Sequence, residues 1–268
     1  MSTEADDLVV EFETLEEMDS TASAEHLFEH YMALAEKGNV NEDDISTAVT
    51  EKCMYKIARI MLKPDNEIKD SKAPFDDILG LLQHYNVFFS NIPKAKTAKI
   101  VRNILDIVAS FPNSLESQVS LCQDVVNWCK NEKRTFLRQR IEARLATLLL
   151  ETGKQSDALK LVNSLLTELK KLDDKQMLTE THLTESRIYF RLQNISKSKA
   201  ALTASRTAAN SIYVVPLLQA DIDAMSGMLQ CEEGDHTTAF SYFLEAFEGY
   251  DQSSANELAT TCLQYMYT

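Results

Sequence analysis

Turn-forming residues are scarce. Six Gly and five Pro in 268 residues are about a third of the usual share, too few for the many tight reversals of a β-sandwich or barrel. Long apolar runs are missing too. The richest, residues 145–150, is interrupted by Thr147 and walled by Arg144 and Glu151, far short of the roughly 18 apolar residues a membrane span needs. The N-terminus lacks the basic and apolar regions of a secretory leader, so the expected location is cytoplasmic and nuclear. Cysteine is sparse and unpatterned: Cys53, Cys122, Cys129, Cys231 and Cys262 are odd in number and form no CxxC. They are expected as reduced core thiols, with no disulfide framework, no bound metal and no cofactor.

What the chain does have is charge, unevenly placed. The formal net charge is -14. Residues 1–50 carry 14 acids against Lys37 alone, residues 51–206 carry a net positive charge, and residues 207–268 hold nine acids and no Lys or Arg. Such asymmetry suits contact with partners of different sign along the molecule; the plainer alternative is solvated helix faces. Two basic clusters stand out: Lys94, Lys96, Lys99 and Arg102, then Lys130, Lys133, Arg134 and Arg138. These eight are the candidate partner-facing residues. Nucleic acid is not the expected partner, because overall acidity opposes phosphate neutralisation and no aromatic stacking motif interleaves with the basic residues.

From Ala22 onward apolar residues recur at helical spacing, with breaks near Gly38, Pro64, Pro74, Pro93, Pro112, Gly153, Pro216 and Gly234. Leu137, Ile141, Leu145 and Leu148 make one stripe, and Leu159, Val162, Leu166 and Leu169 another. Gly153 is placed to end the first of these helices and Ser156 or Asp157 to start the second. Gly153 precedes Ala158 by five residues and Gly234 precedes Ala239 by five, with Gln193 and Ser198 as a degenerate copy midway. A period of about 40 with two helices per unit predicts an all-α protein, a right-handed alpha-solenoid of tetratricopeptide-like or HEAT-like helix pairs. The expected organisation is an acidic stretch over 1–20, open between a frayed helix and a disordered tail, irregular helix pairs over 21–130 from about Asn41, and tetratricopeptide-like pairs over 131–268. The last helix, through Leu258, Cys262, Leu263 and Met266, is expected to lack its pair. Trp128, Ala158, Ala239, Phe243 and Phe247 are expected in the core.

Several blocks carry a resemblance: Glu132-Lys133-Arg134-Thr135-Phe136-Leu137-Arg138-Gln139, Glu168-Leu169-Lys170-Lys171, Ala200-Ala201-Leu202-Thr203, Ser226-Gly227, and residues 241–251, joined upstream by Lys94-Ala95-Lys96 and Val101-Arg102. In order and spacing the chain resembles, from about residue 90, the non-ATPase regulatory subunit 11 family of alpha-solenoid subunits in the 26S proteasome lid. That resemblance implies a non-catalytic scaffold in ubiquitin-dependent degradation, with other lid subunits, an ATPase base subunit and the core-particle alpha ring as partners. It also implies a C-terminal PCI module with a winged helix, which this sequence is expected to lack. A free-standing tetratricopeptide-like adaptor is the alternative. A third reading is catalytic: His26, Glu29 and His30 match the H-x-x-E-H pattern of zinc peptidases, in which two His ligate the metal and Glu activates water, although no third ligand is marked. The lone His84, His182 and His236 suggest no triad.

Overall fold

The computed structural model describes residues 2–18, 23–40, 44–62, 78–111 and 115–267. The break positions Pro64, Pro74 and Pro112, the onset at Ala22 and the pair start at Asn41 lie outside them. All regular elements among the described residues are α-helices, as a chain poor in turn-formers must be. The chain divides into two compact units, Met1–Leu137 and Arg138–Thr268.

The first unit contains α1 (Ser2–Met18), α2 (Ala24–Val40), α3 (Asp44–Leu62), α4 (Ile78–His84), α5 (Asn86–Asn91), α6 (Lys94–Ala109), α7 (Leu115–Asn131) and the start of α8 (Thr135–Glu151). The acidic head is helical: Leu8, Phe12 and Leu15 of α1 are buried, spaced four and three apart so that they share one face against α2 and α3. The acids from Asp6 to Glu17 stay on the outside, where Glu11 pairs with Lys37 at 2.8 Å and Glu16 with Lys56 at 3.0 Å. The expected break at Gly38 is not one, for α2 runs through it. A Cβ there would sit 2.4 Å from Thr50 Oγ1 and 3.2 Å from the Ser46 carbonyl oxygen, so the glycine serves close helix packing. Tyr31, Tyr85, Phe28, Phe89, Met54 and Ile57 fill the core. Burial pushes the Cys53 thiol up to about 12, which keeps it protonated.

The second unit continues α8 and adds α9 (Gln155–Leu172), α10 (Lys175–Arg191), α11 (Ile195–Ala209), α12 (Pro216–Glu232), α13 (His236–Gln252) and α14 (Asn256–Tyr267). From α9 onward each helix packs on the next. The stripes read from the sequence face inward, with Ile141, Leu145, Leu148, Val162, Leu166 and Leu169 buried and Leu159 half-buried. Ala158, Ala239 and Phe243 are core, Phe247 partly so.

The periodicity has a backbone cause. Among the described residues, left-handed φ falls at Lys133, Gly153, Asp173, Gln193, Gly234 and Ser254, each just past a helix end. Five of the six carry the same double hydrogen bond. Gly153 N–H donates to the Leu150 carbonyl and Lys154 N–H to that of Leu149, and the same pairs recur at 133–134, 193–194, 234–235 and 254–255. This double bond satisfies the last carbonyls of a helix and reverses the chain within three residues. At two of these turns the next residue then caps the following helix: Asn194 accepts from Lys197 N–H, and Asp235 from Thr238 N–H. Neither Ser156 nor Asp157 does this for α9. Lys154 occupies the N-cap without a side-chain bond, and Asp157 pairs with Lys160 at 3.1 Å instead. The pattern lapses once: α11 ends right-handed at Asn210, and Pro216 starts α12.

Candidate docking surface

The eight basic candidates fall into three environments. Lys96 and Lys99, on α6, are spent on α3. Lys96 Nζ donates to Asp44 Oδ1 at 2.9 Å and holds that carboxyl below its ordinary value, and Lys99 pairs with Glu51 at 3.7 Å. Arg102 Nε donates to the Ala98 carbonyl within α6. Arg138, in the second unit, is structural. It donates to both oxygens of Glu142 at 3.0 Å and pairs with Glu168, to which Gln139 also donates at 3.2 Å. Glu142 and Gln139 are buried, so this cluster ties α8 to α9. Arg138 holds the Glu168 carboxyl below its ordinary value, first through its hydrogen bond.

The remaining cations gather at the α7–α8 turn. Lys133 takes left-handed φ, +54°, and the double bond described above draws the chain back into α8. Arg134 is pinned inward: its Nη2 donates to the Phe89 carbonyl at 3.0 Å, and its guanidinium lies 5.5 Å from the Trp128 ring centroid. Trp128 is buried against Phe89 at 6.0 Å between centroids, a core aromatic as expected. Asn86 Nδ2 donates to Glu132 Oε1 at 3.1 Å and fastens the same turn to α5. Arg134 Nη1 has no acceptor. Among the described residues neither Lys94, Lys130, Lys133 nor Arg134 has a carboxylate within ion-pair distance.

Lys94 is brought to this turn by Pro93, which sets the start of α6 and has no side-chain acceptor to offer its first amides. Lys94, Lys133 and Arg134 thus border one cavity of about 380 Å³ whose other walls are Ala95, Ala98, Thr135, Phe136 and Leu137. Among the described residues no acid lines it. Phe136 is 72% exposed, one position off the buried stripe that starts at Leu137. The sequence shows no aromatic stacking motif among the basic residues, yet Phe136 stands between Arg134 and Arg138 as a single exposed ring, and its offset from the stripe is the signal.

The zinc pattern does not assemble. His26 and His30 are exposed, their rings stack at 4.0 Å, and His30 Nδ1–H donates to the His26 carbonyl at 2.7 Å. Among the described residues no group of three or more His, Cys, Asp or Glu side chains is placed to hold a metal ion. No helix of the described residues is long and apolar enough to cross a membrane.

The family described as 26S proteasome regulatory subunit RPN6 N-terminal domain matches residues 6–152, which extends the likeness back through the acidic head and includes the cavity. The chain is 51% identical over 191 residues to the 26S proteasome non-ATPase regulatory subunit 11 homolog of Arabidopsis thaliana, covering 71% of this chain and 45% of that protein. It is 47% identical to the 26S proteasome non-ATPase regulatory subunit 11 of Dictyostelium discoideum (71% and 46% covered). It is 42% identical over 194 residues to the 26S proteasome regulatory subunit RPN6 of Saccharomyces cerevisiae, with 71% and 45% covered. The chain spans about half the length of the curated relatives it matches. With over half of its residues inside one family match, the chain belongs to the 26S proteasome regulatory subunit RPN6 N-terminal domain family.

Proposed function

We propose that the protein is a non-catalytic scaffold of the 26S proteasome regulatory particle, whose helix pairs form a right-handed alpha-solenoid that braces lid subunits against the ATPase base and the core alpha ring in cytoplasm and nucleus. The family match over residues 6–152 carries this reading. Physical chemistry agrees with it: helix pairs that hide their apolar stripes against neighbouring pairs present long surfaces and work by contact. Co-sedimentation tests it. Tagged protein expressed in cells should travel with particles of proteasome size and retain lid subunits on mild washing; migration only as a free chain of about 30 kDa would reject the proposal.

The alternative reading is a free-standing adaptor. The second unit holds a cavity of about 720 Å³ whose walls include Phe190, Met225 and Met228 beside Arg191 and Glu151, groups of the kind that could accommodate an extended peptide in such an adaptor. The same sedimentation separates the two readings.

A further inference from the structure

We propose that the cavity between the first turns of α6 and α8 is a docking pocket for an acidic peptide segment of a partner protein, which inserts one aromatic side chain between flanking carboxylates. This deepens the bracing reading by naming the chemistry of one contact, and rests on it only for the partner's setting.

The charge argument comes first. In a chain of net charge -14, Lys96, Lys99 and Arg138 already have carboxylate partners. Among the described residues Lys94, Lys133 and Arg134 have none, and these three border the cavity. Arg134 cannot swing away to find one, because Phe89 and Trp128 hold it. Its charge is therefore fixed in place before any ligand arrives, which lowers the ordering cost of binding. Neither α6 nor α8 has an acid in its first turn, so the positive ends of both helix dipoles add to the same field.

Charge alone would accept any anion; the walls narrow the choice. Phe136 offers an exposed ring, and the small side chains of Ala95 and Ala98 leave room beside it. An aromatic side chain entering there buries apolar area and meets the ring edge-on or offset. The volume, about 380 Å³, sits at the low end for small-ligand pockets and suits one large side chain rather than a duplex or a membrane surface. The acidity of the rest of the chain also opposes a long polyanion, whereas a short segment places its few charges against the local cations.

The test is fluorescence anisotropy on the purified 268-residue chain with a labelled five-residue peptide EDFDE. Saturable binding is expected with Kd on the order of 10–100 μM, weakening severalfold as salt rises from about 50 to about 300 mM. Lys94→Glu with Lys133→Glu should weaken it about tenfold or more. Phe136→Ala in the protein, or EDADE as the peptide, should each cost about fivefold. All three side chains are exposed, and the single Phe136→Ala variant keeps the test decisive should the double variant fail to fold. Absence of binding at about 1 mM, equal binding by the charge variant, equal binding of EDADE, or displacement by inorganic phosphate or single-stranded RNA at the peptide's own affinity would each overturn the proposal. Lost peptide binding with intact co-sedimentation sinks the pocket alone; lost co-sedimentation with intact peptide binding sinks the bracing role alone.

Discussion

Phe243 lies across Gly227 so closely that a Cβ added to the glycine would stand 2.8 Å from Cε1 and 2.9 Å from Cδ1 and Cζ of the ring. Phe243 is 1% exposed and stacks on Tyr265 at 5.1 Å, so it has no room to yield. Overpacking costs about 1–3 kcal/mol, and the gain in helix propensity on replacing glycine offsets about 1 kcal/mol. Gly227→Ala is therefore expected to destabilise the protein by up to about 2 kcal/mol in urea unfolding. Adding Phe243→Leu should make the glycine substitution cheaper, a coupling a double-mutant cycle will show.

Opposite signs are expected at two equivalent turns. Gly153 takes φ +78° with nothing within 4 Å of a built Cβ, while Gln193 takes φ +58° in the same double-bonded turn. Gly153→Ala then costs only the left-handed backbone penalty, about 1 kcal/mol, and Gln193→Gly recovers about 0.5 kcal/mol of it. Thermal unfolding of the two variants should shift the midpoint down and up respectively. Equal shifts in one direction would mean that the two turns differ in geometry.

Arg138 neutralises a largely buried carboxylate, since its side chain is 16% exposed and that of Glu142 only 7%. Arg138→Met leaves Glu142 unpaired and should cost about 3 kcal/mol; adding Glu142→Leu should restore most of this. Glu168 supplies a pH readout. Arg138, through its hydrogen bond, holds that carboxyl below its ordinary value of 4.5. The folded state therefore binds this proton less readily than the unfolded one. Its contribution is present above 4.5 and is lost as pH falls through the depressed value. The stability advantage of the wild type over Glu168→Gln should shrink steadily on acidification below about pH 4.5, as followed by urea midpoints.

Helix pairs were legible because their cause is local. Gly153 and Gly234 mark left-handed turns by residue type alone, and the apolar stripe from Leu137 to Leu148 follows from spacing. Lys133, Asp173 and Ser254 take the same left-handed φ without a glycine, so the helix-to-helix spacing of about twenty residues is only half visible in the glycine marks. The cavity was half legible. Clustered Lys and Arg flagged Lys94 and Lys133, but only tertiary pairing shows that Lys96, Lys99 and Arg138 are already neutralised. Gly38 misled for a similar reason: whether a glycine ends a helix or lets another approach depends on Thr50, twelve residues on.

The acidic head gives the last prediction. The acid-rich composition leaves a frayed helix and a disordered tail both open; in the structure Phe12 is 5% exposed, its ring lies 5.9 Å from that of Tyr31, and Lys52 Nζ sits 5.4 Å from its centroid. Leu8 and Leu15 flank it on the same face. Three buried apolar side chains outweigh the repulsion of surface acids, because exposed charges are screened at physiological salt while each buried side chain contributes about 1.5–3 kcal/mol. Phe12→Ala should cost about 3 kcal/mol, and hydrogen exchange should show α1 opening in the variant well before α3. Glu13→Gln, on the exposed side of the same turn, should change stability by less than about 0.5 kcal/mol. An unchanged midpoint for Phe12→Ala would place α1 outside the cooperative core of the first unit.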